Sequence, residues 1–337
     1  MRYSDEEKQK IVDDFIDLSN EQIKGFLRQR ELPVTGTKEI FRALLQEKLE
    51  REHLSYTELV AYLDQISPWG KQHVFLLKGF SQLARPFRDR AWVETRLKEH
   101  GLRDRLNAPL RLILPEQLTV SEISYRPELL RVIAIARRDE WSREHDYDRY
   151  EVIEGRQVEF RAYSHHVDRG LIIFEWDLIH NTAALRISQL PSGGDYEEEF
   201  SAFARLTSKW LNLHMFEKLD IRRAIRSLHE LAEKGEPEAR PQAIDYRTFG
   251  GRVFSGRSAT SETSVLGEVV IDSAMKNLRD LGTGQLGNFY WLPTACGAVH
   301  KELHVFLNGP AHRINFTTAN DEKSLRHVLD RIRAHCS

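Results

Sequence analysis

The stretch LSNEQIKGFLRQRELPVTGTKEIFRALLQEKLE, from Leu18 to Glu50, decides how the N-terminal part of the chain folds. Ser19 and Gln22 have the spacing of a capping box, which begins a helix. The apolar stripe of this helix is Ile23, Phe26 and Leu27. The helix must end before Pro33, because proline disfavours helical geometry in the preceding residue. Gly36 can take a positive φ and redirect the chain. A second helix then begins near Thr37, with an expected buried stripe of Ile40, Phe41, Leu44 and Leu45.

Several residues of this stretch resemble the SAP motif, a small helix-extended-helix DNA-binding module. They are Leu27, Leu32-Pro33, Thr35-Gly36-Thr37-Lys38, Ile40 and Leu44. The resemblance implies contact with double-stranded DNA. The start of the second helix supports it, since free N–H groups and the positive end of the helix dipole attract phosphate there. The residues predicted to bind DNA are Lys24, Arg28, Arg30, Thr35, Gly36, Thr37, Lys38 and Arg42.

The charge of this stretch is mildly positive. Seven Lys or Arg and five Glu lie between Glu21 and Arg51, a net charge of +2. Such a balance suits weak contact with phosphates that depends little on base sequence. The alternative is a plain helical hairpin with solvated charges, or one that contacts protein.

Composition sets the wider limits. The 337 residues are 41% hydrophobic and 30% charged, with a formal net charge of −2, so any DNA-binding surface must be local. We expect two or three domains and no membrane span or signal peptide. The two cysteines, Cys296 and Cys336, favour a reducing, intracellular compartment (nucleoid, cytoplasm or nucleus) over secretion.

The remaining pattern predicts an α+β fold, in which a helical SAP-like module precedes a β-rich body with two antiparallel-sheet segments separated by helices. The expected domains are 1–66, 67–234 and 242–337, and the charged breaker GEPEARP separates the last two. Residues 68–106 read as helical or irregular. The expected strands are Leu110–Leu114, Leu129–Ala136, Gln157–Tyr163, Leu171–Trp176, Ala183–Gln189, Arg252–Phe254, Leu266–Ile271, Asn288–Leu292, Leu303–Leu307 and Arg313–Thr317.

Two helices and one turn in this body carry clear local signals. Asp220 is placed to cap a helix whose apolar face is Ile221, Ala224, Ile225, Leu228, Leu231 and Ala232. His180-Asn181 is placed as a hairpin turn. A closing helix carries Leu325, Val328, Leu329 and Ile332 on one face.

The order of elements from about residue 70 to 335 is similar to that of the centromere protein N family. The segments that carry this resemblance are Gln72–Phe75, Leu118–Ser121, Leu171–Trp176 with Ala183–Gln189, His214–Leu228, and Arg313–Thr318 followed by Ser324–Ile332. It implies a chromosome-associated protein whose helical head and β-rich body touch duplex DNA. A SAP-like unit would here replace that family's own N-terminal helical domain.

Basic residues of the body fit such a surface. Arg222 and Arg223, with Arg226, lie off the apolar face of their helix, and the first two are predicted to bind DNA. Arg137 and Arg138 end a strand. The stretch 85–105 is also basic, through Arg85, Arg88, Arg90, Arg96, Lys98, Arg103 and Arg105. The alternative is that these are ordinary solvated or ion-paired side chains.

Four patterns could indicate chemistry, and each has a simpler explanation. His300 and His304 have zinc spacing only on a helix, whereas 303–307 reads as a strand. The other three are the acidic and basic set Glu268, Asp272 and Lys276, the run His165-His166 with Asp168, and the glycines 282, 284 and 287. We expect no metal or cofactor. The six tryptophans are expected to pack in the core rather than to form a stacking platform.

These patterns together favour a non-enzymatic protein that binds duplex DNA largely independently of sequence. Protein partners or self-association would add to that role. A metal-dependent nuclease or nuclease subunit targeted by the SAP-like head, and a protein-assembly scaffold without a DNA role, are the alternatives.

Overall fold

The computed structural model describes residues 3–108 and 115–336, without the side chains of Glu6 and His166. The described chain forms two compact units. One contains the residues up to Gly70 together with Ala319–Glu322, and the other contains 71–318 with the residues from Lys323 onward. The predicted strand Leu110–Leu114 lies outside the described residues.

The first unit consists of four helices: α1 Asp5–Ile16, α2 Asn20–Gln29, α3 Lys38–Glu50 and α4 Tyr56–Ile66. Their apolar faces meet in one core that contains Phe15, Phe26 and Phe41, each with no exposed surface. The rings of Phe15 and Phe26 meet edge to face at 4.8 Å. The predicted helix pair therefore exists, but α1 and α4 complete its core.

The starts of α2 and α3 follow the prediction. Ser19 and Gln22 form the reciprocal capping box, and α3 begins directly after Thr37. The predicted burial of Ile40 is wrong, since its side chain is 54% exposed. It lies instead over Gly36, where φ is +148° and a Cβ would be 2.8 Å from Ile40 Cγ2. The buried face of α3 is Phe41, Leu45 and Leu49.

The second unit is built on an eleven-stranded antiparallel sheet plus a separate two-stranded hairpin. Its strands are β1 Gln72–Gly79, β2 Thr119–Arg126, β3 Leu129–Arg143, β4 Arg149–Ile153, β5 Arg156–Phe160, β6 Tyr163–Asp177, β7 Thr182–Ser188, β8 Phe216–Lys218, β9 Ala239–Thr248, β10 Val253–Arg257, β11 Gly282–Trp291, β12 Leu303–Asn308 and β13 Arg313–Phe316. The order is β10-β9-β11-β12-β13-β1-β7-β6-β3-β2, with β8 also paired to β1, and β4-β5 is the hairpin.

The five helices of this unit are α5 Arg90–Glu99, α6 Tyr196–Thr207, α7 Ile221–Glu233, α8 Val269–Leu281 and α9 Glu322–His335. Helices α5 and α6 share one apolar core with β1, β3, β6 and β7. Helix α7 packs on β9 and β11, where Ile225 covers Gly284. Helices α7 and α9 are present as predicted, including the Asp220 cap and the buried stripe of α9. On α7, however, His229 is buried, while Leu231 and Ala232 of the predicted apolar face are half-buried.

The fold class is α+β as predicted, but the two expected sheet segments are one sheet. Strand β1 lies between β13 and β7, with His73 opposite Asn315 and Ile187. The expected boundary at 235–241 is therefore a loop before β9 and does not divide two compact units. The prediction of helical or irregular structure for 68–106 is wrong over β1. This strand is buried on both faces and therefore lacks the alternation of polar and apolar residues that indicates a strand.

Most of the other predicted strands are present, and one is wrong. Leu266–Ile271 is a loop and the start of α8. Its β-branched residues favour a strand locally, but Met275 and Arg279 point inward at helical spacing. The predicted turn is present, with Asn181 at a φ of +53°.

The pairing of β3 with β6 extends further along both strands than their pairing with the outer neighbours β2 and β7. Their pairing runs to Arg143 opposite Tyr163, while β2 and β7 reach only to Ile135 and Ile172. The outer part is a two-stranded ribbon followed by the β4-β5 hairpin, whose turn at Glu154 and Gly155 has positive φ at both residues.

Candidate nucleic-acid interface

The start of α3 differs from the starts of the other three helices in the first unit. Those three begin with reciprocal capping boxes at Ser4, Ser19 and Ser55. The side chain of Thr37 accepts no hydrogen bond from the α3 backbone. Thr35 and Thr37 are exposed, so the first N–H groups of α3 lie at an accessible position.

One acidic residue occupies this position. The carboxylate of Glu39 hydrogen-bonds with the Thr37 hydroxyl and with its own backbone N–H, and these bonds lower its pKa. The side chain is exposed, so it can rotate away from the helix end. An incoming phosphate must displace this carboxylate.

Three of the predicted cations are available for an anionic ligand. Lys24 and Arg28 lie one turn apart on α2, and Lys38 is the first residue of α3. Arg28 is exposed and the two lysines are half-buried. None of the three forms an ion pair with another residue in 3–108 or 115–336.

Two predicted cations are instead used within the unit. Arg42 forms an ion pair with Asp13 of α1. Arg30 lies 3.7 Å from the centre of the Phe26 ring and 3.6 Å from a carboxylate oxygen of Glu58. These contacts leave the two guanidinium groups less able to bind phosphate than Lys24, Arg28 and Lys38.

Arg222 and Arg223 belong to the second unit, in the first turn of α7. Arg223 is exposed, whereas Arg222 is half-buried and its aliphatic chain packs close to Gly309. The backbone N–H of Arg222 donates to the Asp220 carboxylate, at 3.2 Å. Only Arg223 and the neighbouring Arg226 are exposed on this helix as predicted.

Some of the basic side chains in the stretch 85–105 are already bonded to other residues of the second unit. The Arg88 guanidinium donates to the carbonyl oxygens of Leu178 and Ile179, and therefore fixes the β6-β7 turn. Arg90 and Arg96 pair with glutamates on their own helix. The other cations of this stretch have no ion pair among the described residues, and they are Arg85, Lys98, Arg103 and Arg105.

Arg138, which the sequence placed with Arg137 among the basic residues of a DNA-binding surface, is instead buried and bonded within the second unit. It is 9% exposed, and its Nη1 donates to the Ser188 carbonyl at 3.0 Å, the Ser188 hydroxyl at 2.6 Å and the Gln189 carbonyl at 2.9 Å. Gly170 makes room for it, because a Cβ there would lie 2.3 Å from Arg138 Nε. Arg137 is exposed but bonded to Asp139.

Two of the patterns that could indicate chemistry include His304 and Asp272, and both side chains are hydrogen-bonded within the second unit. His304 lies on β12, and its ring nitrogens hydrogen-bond with Asn288 and, at 2.8 Å, with Thr317. Burial lowers its pKa. Asp272 accepts the N–H of Gly267 beside the start of α8. The described residues contain no cluster of three or more His, Cys, Asp or Glu side chains that could hold a metal ion.

The other two patterns lie within strands of the second unit. Gly282, Gly284 and Gly287 lie within β11 rather than in a phosphate-binding loop. His165 hydrogen-bonds with Asp139 at 2.9 Å and stacks on Trp141. Four tryptophans are buried, as expected of core residues, whereas Trp141 is 64% exposed on the ribbon and Trp92 36% exposed on α5.

The described helices and the comparisons with known proteins give two further findings. Among the described helices, none has both the length and the apolar character needed to cross a bilayer. No protein-family model matches the chain, and no curated protein matches it.

Proposed function

We propose that the protein binds duplex DNA through its four-helix unit, and that it contacts phosphates with little dependence on base sequence. The proposed contacts are the first backbone N–H groups of α3 with Lys38, and the exposed side of α2 with Lys24 and Arg28. The observation that carries the proposal is the exposed start of α3, where Thr37 provides no side-chain cap and the exposed Glu39 carboxylate can be displaced.

The physical basis is the behaviour of helix N-termini. Unbonded N–H groups and the helix dipole together attract an anion, and an adjacent lysine adds a full positive charge. The other three helices of the unit use a serine hydroxyl and a Glu or Gln side chain at the same position. A phosphate would take that place at α3, where Thr37 makes no such bond.

The small number of free cations sets the expected strength. Three unpaired cations can make only a few phosphate contacts. Each contact releases a counterion from the DNA, and each released counterion adds about one unit to the slope of log affinity against log salt concentration. We therefore expect weak binding at physiological salt, with similar affinity for unrelated duplexes. Arg223 and Arg226 belong to the second unit and are not among these three cations.

Fluorescence anisotropy with two duplexes of unrelated sequence tests this function on the full chain. Lys24→Glu/Arg28→Glu should weaken binding to both duplexes at least tenfold and lower the salt slope by about two. The matched control is Arg205→Glu/Lys209→Glu, which reverses two exposed cations four residues apart in the second unit. Equal losses in the two double variants, or no binding by the unchanged protein at low salt, would refute the proposal.

A protein-assembly role is the second candidate, and the ribbon of β3 and β6 favours it. On this ribbon and its hairpin, Trp141 and Tyr150 are each 64% exposed and Val152 is 75% exposed. Acidic residues outnumber arginines between Ala136 and Gly170, so the ribbon suits a protein partner better than phosphate.

A further inference from the structure

The turn between β9 and β10 presents an aromatic ring to solvent. Phe249 in this turn is 96% exposed, a larger fraction than that of any other large hydrophobic side chain in the described part of the chain. A ring that buries almost no surface adds almost nothing to the stability of the fold. Phe249 can therefore be replaced without loss of the fold, and burial of its ring requires a ligand.

The base of this turn is firmly paired, because β9 lies between β10 and β11 in the sheet. Thr248 donates its N–H to the Arg252 carbonyl and accepts the N–H of Gly251, each at 2.9 Å. Gly251 has a φ of +79°, which favours glycine, and a Cβ there would meet no atom within 4 Å. Phe249 is thus followed by two glycines on a narrow, open hairpin tip (residues 248–252) with a fixed base.

The hairpin around this ring is basic. Residues 246–257 include three arginines and no acidic side chain. These arginines are exposed and form no ion pair with another residue in 3–108 or 115–336, and they are Arg247, Arg252 and Arg257. Two acidic residues lie beside the hairpin. Asp280 pairs with the buried Arg279 at 3.0 Å, and Asp245 is half-buried. The ring of Phe249 therefore lies within a positively charged surface.

We infer that the hairpin tip inserts Phe249 between two base pairs of a DNA duplex from the minor groove, while Arg247 and Arg252 contact the phosphates on either side. An apolar wedge of this kind partly unstacks the base step and bends the duplex toward the major groove. The inference rests on the proposed binding of duplex DNA by the four-helix unit. It adds a second contact, in the other unit, that deforms the DNA.

Charge and shape favour DNA as the ligand of this tip. Arginines without acidic neighbours complement the phosphates of a duplex, and arginine side chains are attracted into a narrow minor groove. One ring on a narrow turn fits between two base pairs. A bilayer suits the tip less well, since segments that lie in a membrane interface bury a broad apolar face. Val253 and Leu281 are also exposed, but they lie behind the turn, beside Arg247 and Gly282.

Binding of the full chain to a matched duplex and to the same duplex with a central mismatch tests the inference. A mismatched step is already partly unstacked, so a wedge enters it at a lower cost. We expect the unchanged chain to bind the mismatched duplex about tenfold more tightly than the matched one. Energy transfer between dyes on the two ends of the matched duplex should rise on binding, because an inserted ring bends the DNA.

Variants of the hairpin tip identify the residues that cause these effects. Phe249→Ala should bind the two duplexes alike and should produce no rise in energy transfer. Phe249→Leu should keep part of both effects, since aliphatic side chains also part base steps. The matched control is Tyr147→Ala, which removes a ring that is 76% exposed in another turn of the second unit, and it should behave as the unchanged chain. Arg247→Gln/Arg252→Gln should weaken binding to both duplexes and lower the salt slope by about two.

The preference for the mismatch separates this inference from the proposed function. Lys24→Glu/Arg28→Glu should weaken binding to both duplexes by the same factor and so keep the preference. If that double variant has no effect while the preference persists, only the four-helix site is refuted. Three results would overturn the inference alone. They are equal binding of both duplexes without bending, a preference that survives Phe249→Ala, and flotation with vesicles of equal parts phosphatidylcholine and phosphatidylserine that Phe249→Ala abolishes.

Discussion

The guanidinium of Arg42 on α3 forms an ion pair with the carboxylate of Asp13 on α1, and both side chains remain partly exposed. Asp13 also accepts a hydrogen bond from Gln9, at 3.0 Å. The pair joins two helices of the first unit. It also neutralises a cation one turn from the uncapped start of α3, where we propose that phosphate binds.

Removal of the Asp13 charge should therefore have opposite effects on stability and on DNA binding. Asp13→Asn frees Arg42, so affinity for duplex DNA should rise several-fold at low salt. Partly exposed pairs contribute up to about 1 kcal/mol, so the free energy of unfolding should fall by no more than that. Anisotropy and urea unfolding measure the two effects.

The control for this variant is Asp14→Asn, which removes the same charge from the same helix. Asp14 pairs with Lys10, four residues away on α1. A similar gain in affinity in the two variants would show that net charge, rather than release of Arg42, causes the effect.

Glu39→Gln should also strengthen DNA binding, because the Glu39 carboxylate occupies the proposed phosphate position. We expect a gain of several-fold at neutral pH that decreases as salt rises. Glu50→Gln, at the opposite end of α3, removes an equal charge far from that position and should change affinity much less. Unchanged or weaker binding of Glu39→Gln would place the phosphate elsewhere.

The same carboxylate gives a small pH effect on folding. The pKa of Glu39 is lower in the folded chain than the usual pKa of a glutamate. Its bonds with Thr37 and with its own N–H therefore stabilise the fold at pH values above that usual pKa. This stabilisation is lost as the pH falls through the lowered pKa. In Glu39→Gln that part of the acid dependence should be absent.

Local signals predicted much of the fold. Helix α2 and the start of α3 follow from Ser19, Gln22 and Gly36, and the β6-β7 turn from Asn181. The failures have physical causes. Strand β1 is buried on both faces and shows no alternation, whereas α8 begins with three β-branched residues. The single sheet depends on the pairing of β1 with β13, which are far apart in sequence.

The sequence predicted where the candidate site lies, but it did not predict which cations belong to it. Thr37 and Lys38 lie at the helix start that the spacing predicted. Arg30 and Arg42 are lost to Glu58 and Asp13, which belong to helices outside the quoted stretch. A motif indicates which cations are close to each other in sequence, but their partners come from the tertiary packing of other helices.

The burial of His229 allows us to predict how the stability of the second unit depends on pH. His229 on α7 has no exposed surface, and its Nδ1 lies 2.7 Å from the Tyr246 hydroxyl. Burial, with a smaller effect of the Arg279 charge, lowers its pKa from 6.5 to about 4. The acidic groups near it are Glu233, 3.5 Å from Nε2, with Asp272 and Asp280.

The sign of the effect follows from the two pKa values. Between pH 6.5 and about 4, the unfolded chain binds a proton at His229 that the folded chain does not. The stabilisation is thus complete above pH 6.5 and is lost as the pH falls, by about 2 kcal/mol at pH 5 for this one group. His229→Gln should be less stable at pH 7 but should lose less stability between pH 7 and 5. His180→Gln, an exposed histidine in the β6-β7 turn, should keep the dependence of the unchanged chain in urea unfolding. If His229→Gln loses as much stability as the unchanged chain over this range, His229 is not the group that titrates.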